Sequence, residues 1–411
     1  GSGSVVKADL TNIGFKEFVM PNSAQQATDR IATDGVRLYS AGRQQTSYNN
    51  SYVQAATYSN IQRFIDDGSD YTNPWHFGLY EAFQGATVTI YGRTFKMCDL
   101  VTSGSEVYVT GLAVQRSEDN LFVAREQNNS LRILNKKTGA LRQSLTYRAV
   151  KHCTVDGNDN LWMVYNNGSG NEIIEKFNVN ATTGALTTTG FTIAATNVQA
   201  MAFNSNSSIL AVADIDANGD HRIHAYNPNT GAQLWILGRA ENYAENPTVH
   251  NDKFLFKSKF NPIYQYTGIA FESDGSLWVG DFGNNRYLKF DPSRNYEQHL
   301  TWMQAIYSCQ VDPNNISRVY GRYLEFNVNY NKNLTPTNSN NAWTFKNNWI
   351  ESARSFDDFK NMKDVTTLSN GRTYCIASDA GDNQEFVELV DNVGLRYTGV
   401  LIAKDISLKS D

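Results

Sequence analysis

Residues Gly268 to Tyr296 read GIAFESDGSLWVGDFGNNRYLKFDPSRNY. A short apolar strand runs into Asp274-Gly275. A second strand, a polar turn and a third strand follow. An Asp-Gly pair between apolar runs is a strong hairpin signal, because glycine reaches backbone angles that other residues avoid. The stretch therefore predicts three successive antiparallel strands and no helix.

The same grammar recurs along the 411 residues. It returns from Gly111 (GLAVQRSEDNLFVAREQNNSLRILNKKTGAL), from His152 (HCTVDGNDNLWMVYNNGSGNEIIEKFNVNATTGAL) and from Ala200 (AMAFNSNSSILAVADIDANGDHRIHAYNPNTGAQLW). Fainter copies begin near Arg30, Ser308 and Asp364. A Thr-Gly-Ala turn closes the third strand at Thr138, Thr183 and Thr230. The starts at 111, 152 and 200 are 41 and 48 residues apart. That is the size of one four-stranded propeller blade.

The second strands ending in Gly280-Asp281 and Ala213-Asp214 lead to Asn284-Asn285-Arg286 and Asp220-His221-Arg222. In this the chain resembles the NHL-repeat family, whose units run from Gly-Asp or Ala-Asp through a turn into Asn-His-Arg. The resemblance covers about four units well and the ends poorly. It implies an all-β fold, a single β-propeller of six or seven blades. The seven starts favour seven, with the stretch 66–110 able to hide or replace one. Residues 5–411 are read as one domain. Gly1-Ser2-Gly3-Ser4 reads as a cloning remnant.

Composition agrees. Hydrophobic residues make up 41% and charged residues 19%, which is globular. The net charge of -5, with no Lys/Arg block, argues against nucleic acid. No apolar run approaches the ~20 residues that span a bilayer, so membrane insertion is not expected. Cys98, Cys153, Cys309 and Cys375 form no CxxC pair and are read as free thiols.

Within the blades, structural readings are preferred. Asp281 is expected to accept backbone N–H groups of its own turn, and Arg286 to pair with a neighbouring carboxylate. Trp162 and Trp278 hold equivalent second-strand positions and are expected to pack between blades. Asp214, Asp216 and Asn218 resemble the front of a calcium loop, so calcium is the one cofactor suggested. However, Ala225 stands where the bidentate Glu belongs, and the repeat demands a turn there.

The long insertions carry the functional expectation. They fall at 42–57, 66–96, 239–266 and 332–360. In a propeller the second-to-third and fourth-to-first connections share one face, the top; 42–57, 239–266 and 332–360 are assigned there, and 66–96 as well unless it contains the first blade's outer strand. Long loops on a rigid scaffold are the usual place for binding. The candidate ligand-binding residues are Trp75, His76, Tyr80, Tyr243, His250, Tyr266, Trp343 and Trp349 in these loops, with Lys151 and His152 where a first strand begins. Aromatic rings beside polar groups can stack on sugars or clamp a peptide. Lys253, Lys257 and Lys346 stand nearby.

The leading reading is a non-catalytic, monomeric binding module of a larger secreted or cell-surface protein, an adhesin for example, with a glycan or protein ligand. The alternative is a propeller lyase or hydrolase with histidines and a metal at the channel mouth. That needs about three converging histidines, and His76, His152 and His250 are the candidates. A structural spacer is the third reading.

Overall fold

A computed structural model shows the architecture. It describes residues 5–9, 14–18, 26–45, 57–65, 88–90, 93–95, 98–103, 108–168, 171–258, 267–301, 309–329, 343–352, 359–379 and 383–402.

Seven four-stranded antiparallel sheets follow one another, each with its strands in chain order. The first holds Gln26–Thr33, Arg37–Gln45, Thr57–Ile65 and Cys98–Ser103. The second holds Gly111–Val114, Asn120–Arg125, Ser130–Asn135 and Leu141–Thr146. The third holds Val150–Val155, Leu161–Asn166, Glu172–Val179 and Leu186–Ala195. The fourth holds Val198–Phe203, Leu210–Ile215, His221–Tyr226 and Gln233–Leu237. Ile269–Phe271, Leu277–Asp281, Arg286–Phe290 and Tyr296–Thr301 form the fifth. Cys309–Asp312, Asn315–Gly321, Leu324–Val328 and Trp343–Asn348 form the sixth. Phe359–Thr367, Thr373–Asp379, Gln384–Val390 and Gly394–Ile402 form the seventh. Among the described residues the only helix is three short 3-10 turns. This is the all-β, seven-bladed β-propeller that the repeat predicts, and each of the seven starts falls in or beside a first strand.

The chain divides into two compact units, 1–208 with 228–231, and 209–227 with 232–411. In the first unit, Gln26–Thr33 runs beside Gly111–Val114, which runs beside Val150–Val155, which runs beside Val198–Phe203. In the second, Cys309–Asp312 runs beside Phe359–Thr367. First strands as mutual neighbours are the inner wall of a propeller.

Burial explains the sequence pattern. Leu121 and Val123 join Tyr39, Ala41 and Ile61 in one core, while Phe122 and Ala124 join Leu161, Met163 and Phe177 in another. The strand Asn120–Arg125 is covered on both faces, so it reads as a continuous apolar run and not as an alternation. The outermost strand Leu141–Thr146 is largely exposed and carries no such run.

The Thr-Gly-Ala turns share one chemistry. Asn135 and Asn180 accept the N–H groups two and three residues on. Gly139, Gly184 and Gly231 take φ of +70°, +71° and +74°. Glycine, lacking a Cβ, adopts that angle at no steric cost.

Outer strands correct two insertion assignments. Cys98–Ser103 is the first sheet's fourth strand, so 66–97 is a third-to-fourth connection, at the opposite end of that sheet from the expected top. It includes a small hairpin, Val88–Ile90 with Arg93–Phe95. The strand Trp343–Asn348 divides 332–360 in two. Only 349–358 connects a fourth strand to a first. A hairpin of Val5–Asp9 and Gly14–Phe18, which the sequence did not suggest, precedes the first sheet.

Candidate functional site

Residues 239–258 connect the fourth sheet towards the fifth. They form a strap across neighbouring sheets of the second unit. Its anchor on the fifth sheet is the Asp281–Arg286 pair. Arg286 Nε donates to Asp281 Oδ2 at 2.7 Å, and both side chains are buried. Asp281 Oδ1 accepts the Leu255 N–H at 2.6 Å. The Arg286 guanidinium donates to the carbonyls of His250 at 2.7 Å and Lys253 at 3.2 Å. Asn284 donates to Asp281 Oδ2 and to the Tyr243 hydroxyl. Gly283 N–H donates to the Leu255 carbonyl at 2.8 Å. The repeat's signature residues thus hold a loop as well as a turn.

The fourth sheet supplies a second anchor. His221 Nδ1 accepts the Phe256 N–H at 2.8 Å. The ring is buried and its pKa is pushed down to about 3, because burial disfavours the charged form. Thr267 closes the strap's far end by donating to the Phe256 carbonyl at 2.9 Å.

The strap also adds to the sixth sheet. Val249 N–H donates to the Lys346 carbonyl and Asn348 N–H to the Pro247 carbonyl, each at 2.9 Å, around a Thr248–Asn347 bridge. The strap thereby covers the exposed edge of Trp343–Asn348, an edge that otherwise invites intermolecular pairing. Thr248 reaches Asn392 beyond the seventh sheet's third strand at 2.9 Å.

Inside the strap lies Lys253, fully buried. Its ammonium donates to Glu241 Oε2 at 2.8 Å, the Asn246 carbonyl at 2.6 Å and the Thr248 carbonyl at 3.2 Å. It sits 4.4 Å from the Tyr243 ring centroid. Burial pulls the Lys253 pKa below the ordinary lysine value against the pull of Glu241.

In the first unit, polar groups gather where first strands begin. Lys151 Nζ donates to Glu172 at 2.7 Å and Asn197 at 3.0 Å. The other Glu172 oxygen accepts the Val198 N–H at 2.6 Å. His152 Nε2 lies 3.1 Å from the Val198 carbonyl. Burial, then Arg30 and Lys151, holds its pKa well below the usual histidine value. Arg30 donates to the Thr110 carbonyl at 2.8 Å, and Gln199 to Asn197. The cluster stitches adjacent blades together and leaves Lys151 partly open to solvent.

The expected site residues separate into groups. Tyr243 and Trp349, expected as ligand-stacking rings, are 1% and 0% exposed. Both belong to the core that joins the strap to the sixth and seventh sheets. Trp349 Nε1 donates to buried Glu325 at 3.0 Å. Polar-aromatic loop composition cannot separate a stacking surface from a loop's own small core, and the second is what forms. His152 is likewise buried. His250 is half-buried at the strap surface. Trp343 lies in an outer strand and not in a loop; its side chain, with Trp75, His76, Tyr80 and Tyr266, lies outside the described residues.

The calcium-like stretch is a hairpin turn. Asp216 Oδ1 accepts the N–H groups of Asn218 and Asp220. Burial works to raise the Asp216 pKa. The Asp220 N–H and the Arg222 guanidinium outweigh it and hold the carboxyl low. Asp214 pairs with His224 Nδ1 at 2.9 Å. Both oxygens of Asp216 and one oxygen of Asp214 are engaged by the protein's own donors. Among the described residues no three His, Cys, Asp or Glu side chains form a metal-ligating group.

Trp162 is fully buried, as expected. Trp278 is only half-buried. Both indoles donate to a carboxylate six residues earlier, Asp156 at 3.0 Å and Glu272 at 2.6 Å. Each has the cross-strand lysine, Lys176 or Lys289, over its ring. Cys98, Cys153 and Cys375 are buried free thiols, and burial pushes Cys153 up to about 12. The Cys309 side chain lies outside the described residues.

No protein-family profile matches the chain, and no curated protein matches it in sequence. Among solved structures it is similar to a nidogen/laminin complex chain at 12% identity, covering 70% of this chain and 84% of that one, with a TM-score of 0.40. A virginiamycin B lyase from Staphylococcus aureus matches at 10%, covering 72% and 85%, with a TM-score of 0.31. A putative 6-phosphogluconolactonase from Bacteroides uniformis matches at 12%, covering 91% and 98%, with a TM-score of 0.36. Likenesses this distant carry no argument about function.

Proposed function

We propose that the chain is a non-catalytic, ligand-binding propeller whose blades are NHL-type repeats, working as part of a larger protein outside the cell or at its surface. The observation that carries this reading is the strap. Buried His221, Asp281 and Arg286 hold its backbone from two sheets, so the loop is ordered before any ligand arrives. A pre-ordered loop avoids the entropy cost of ordering on binding. Its outward surface is polar and half-open, with Arg239 paired to Asp252 at 3.1 Å and His250 beside them. The ligand is a glycan or a protein with hydrogen-bonding and charged groups.

The histidines support the same reading. His152, His221, His224 and His299 each have a ring nitrogen in a hydrogen bond to a neighbouring group of the protein. In each of these rings one nitrogen is committed to holding structure.

The test is an array of glycans and extracellular protein domains probed with the intact chain, with metal content measured on the same sample. Saturable binding to one ligand class without stoichiometric metal is expected. Stoichiometric zinc, with turnover that depends on His76 and His152, would overturn the proposal in favour of an enzyme.

A further inference from the structure

The geometry points to a monovalent-cation site inside the strap, filled by the protein's own Lys253 ammonium and able to take a free alkylammonium ion when that side chain is shortened. Three oxygens and one ring face surround the charge: Glu241 Oε2 at 2.8 Å, the Asn246 carbonyl at 2.6 Å, the Thr248 carbonyl at 3.2 Å and the Tyr243 ring at 4.4 Å. An ammonium has three N–H donors and no acceptor. The three oxygens match them in number, and the ring adds a cation–π contact. One carboxylate matches one positive charge. A calcium ion takes six to eight oxygens and more negative charge, so the cage selects a monovalent ion.

The site is closed by the strap itself. Glu241, Tyr243, Asn246 and Thr248 all belong to the segment that Lys253 holds in place, and Tyr243 is pinned in turn by its hydroxyl bond to the Lys253 carbonyl at 3.1 Å. The positive charge is therefore the centre about which residues 241–253 fold. Removing it leaves two backbone carbonyls and a carboxylate facing one another, an arrangement that relaxes by opening the loop.

The test uses Lys253→Ala and Lys253→Met in the intact chain, with thermal melting and hydrogen exchange of residues 241–256 as readouts. Propylammonium restores the missing stem and charge, 1-propanol restores the stem with a neutral hydroxyl, and choline supplies a charge too large for the cage. Lys253→Ala is expected to lower the Tm by several degrees and to expose amides 241–256 to exchange. Millimolar propylammonium should recover at least half of both changes, whereas propanol and choline should not. Lys253→Met fills the stem cavity without the charge and should show no such recovery. If Lys253→Ala does not fold unaided, its refolding yield in the three additives reads the same comparison. Equal effects of propylammonium and propanol, or a Lys253→Met chain as stable and as protected as the parent, would overturn the inference.

Discussion

Asp281 and Leu255 are 26 residues apart in the chain, yet the Asp281 carboxylate accepts the Leu255 N–H at 2.6 Å while its other oxygen accepts Arg286 Nε at 2.7 Å. One buried carboxylate thus joins a blade's own hairpin to the long connection that crosses it. The repeat signature and the loop most open to functional use are the same piece of structure.

Breaking this pair should be costly. Asp281→Asn or Arg286→Met leaves a buried charge without its partner, for which about 3–5 kcal/mol of stability is lost. Arg286→Lys should recover little of it, because a lysine cannot reach the carboxylate and the two loop carbonyls with a fixed fork. Urea unfolding of the three variants checks the order.

Gly283 tests how closely the strap lies on the fifth sheet. A Cβ there would sit 2.4 Å from Leu255 Cγ. Gly283→Ala should cost roughly 1–3 kcal/mol by overpacking. Adding Leu255→Ala should make the double variant more stable than the sum of the two single losses, a coupling expected only of residues in contact. Strict additivity in the double-mutant cycle would show that the strap lies elsewhere.

Acid should weaken the protein through His221. Its folded pKa is lowered to about 3, against about 6.5 for an unperturbed histidine. The unfolded chain takes up a proton below about pH 6.5 and the folded chain does not. Stability is therefore complete above that pH and falls through the window down to about 3, at up to about 1.4 kcal/mol per pH unit for this one group. His221→Asn keeps an acceptor for the Phe256 N–H and removes the titration. Its stability curve should be flatter over pH 4–6 than that of the parent.

The tryptophans separate core from surface. Trp162→Ala and Trp349→Ala, both fully buried, should each cost roughly 3–5 kcal/mol. Half-buried Trp278→Ala should cost less than either. Thermal melting ranks them.

The blades were legible because the second strands of the second, third and fourth sheets are covered on both faces and their turns need Asn, Asp or Gly at a set place. Leu121 to Ala124 and Thr138-Gly139-Ala140 show both signals. Outer strands were not, since Leu141–Thr146 lies mostly open and Cys98–Ser103 follows an insertion. Among site residues, structural roles for Asp281 and Arg286 were readable from the repeat. Their hold on Leu255 and Lys253 was not, because hydrogen bonds to backbone leave no trace in side-chain identity. One signal was available against Tyr243 as an open ring: the apolar run Phe254-Leu255-Phe256 nearby marks a loop with its own core.

The most direct test of the proposed function is affinity for the array-identified ligand, measured for the parent, for Arg239→Glu on the open strap surface, and for Lys151→Ala at the first-strand mouth. Melting temperature should be followed in parallel. Arg239 and Asp252 are exposed, so this substitution should leave stability within about 0.5 kcal/mol. At least a tenfold loss of affinity is expected for Arg239→Glu or Lys151→Ala with the fold intact. Full affinity retained by both variants would overturn the proposed binding surface.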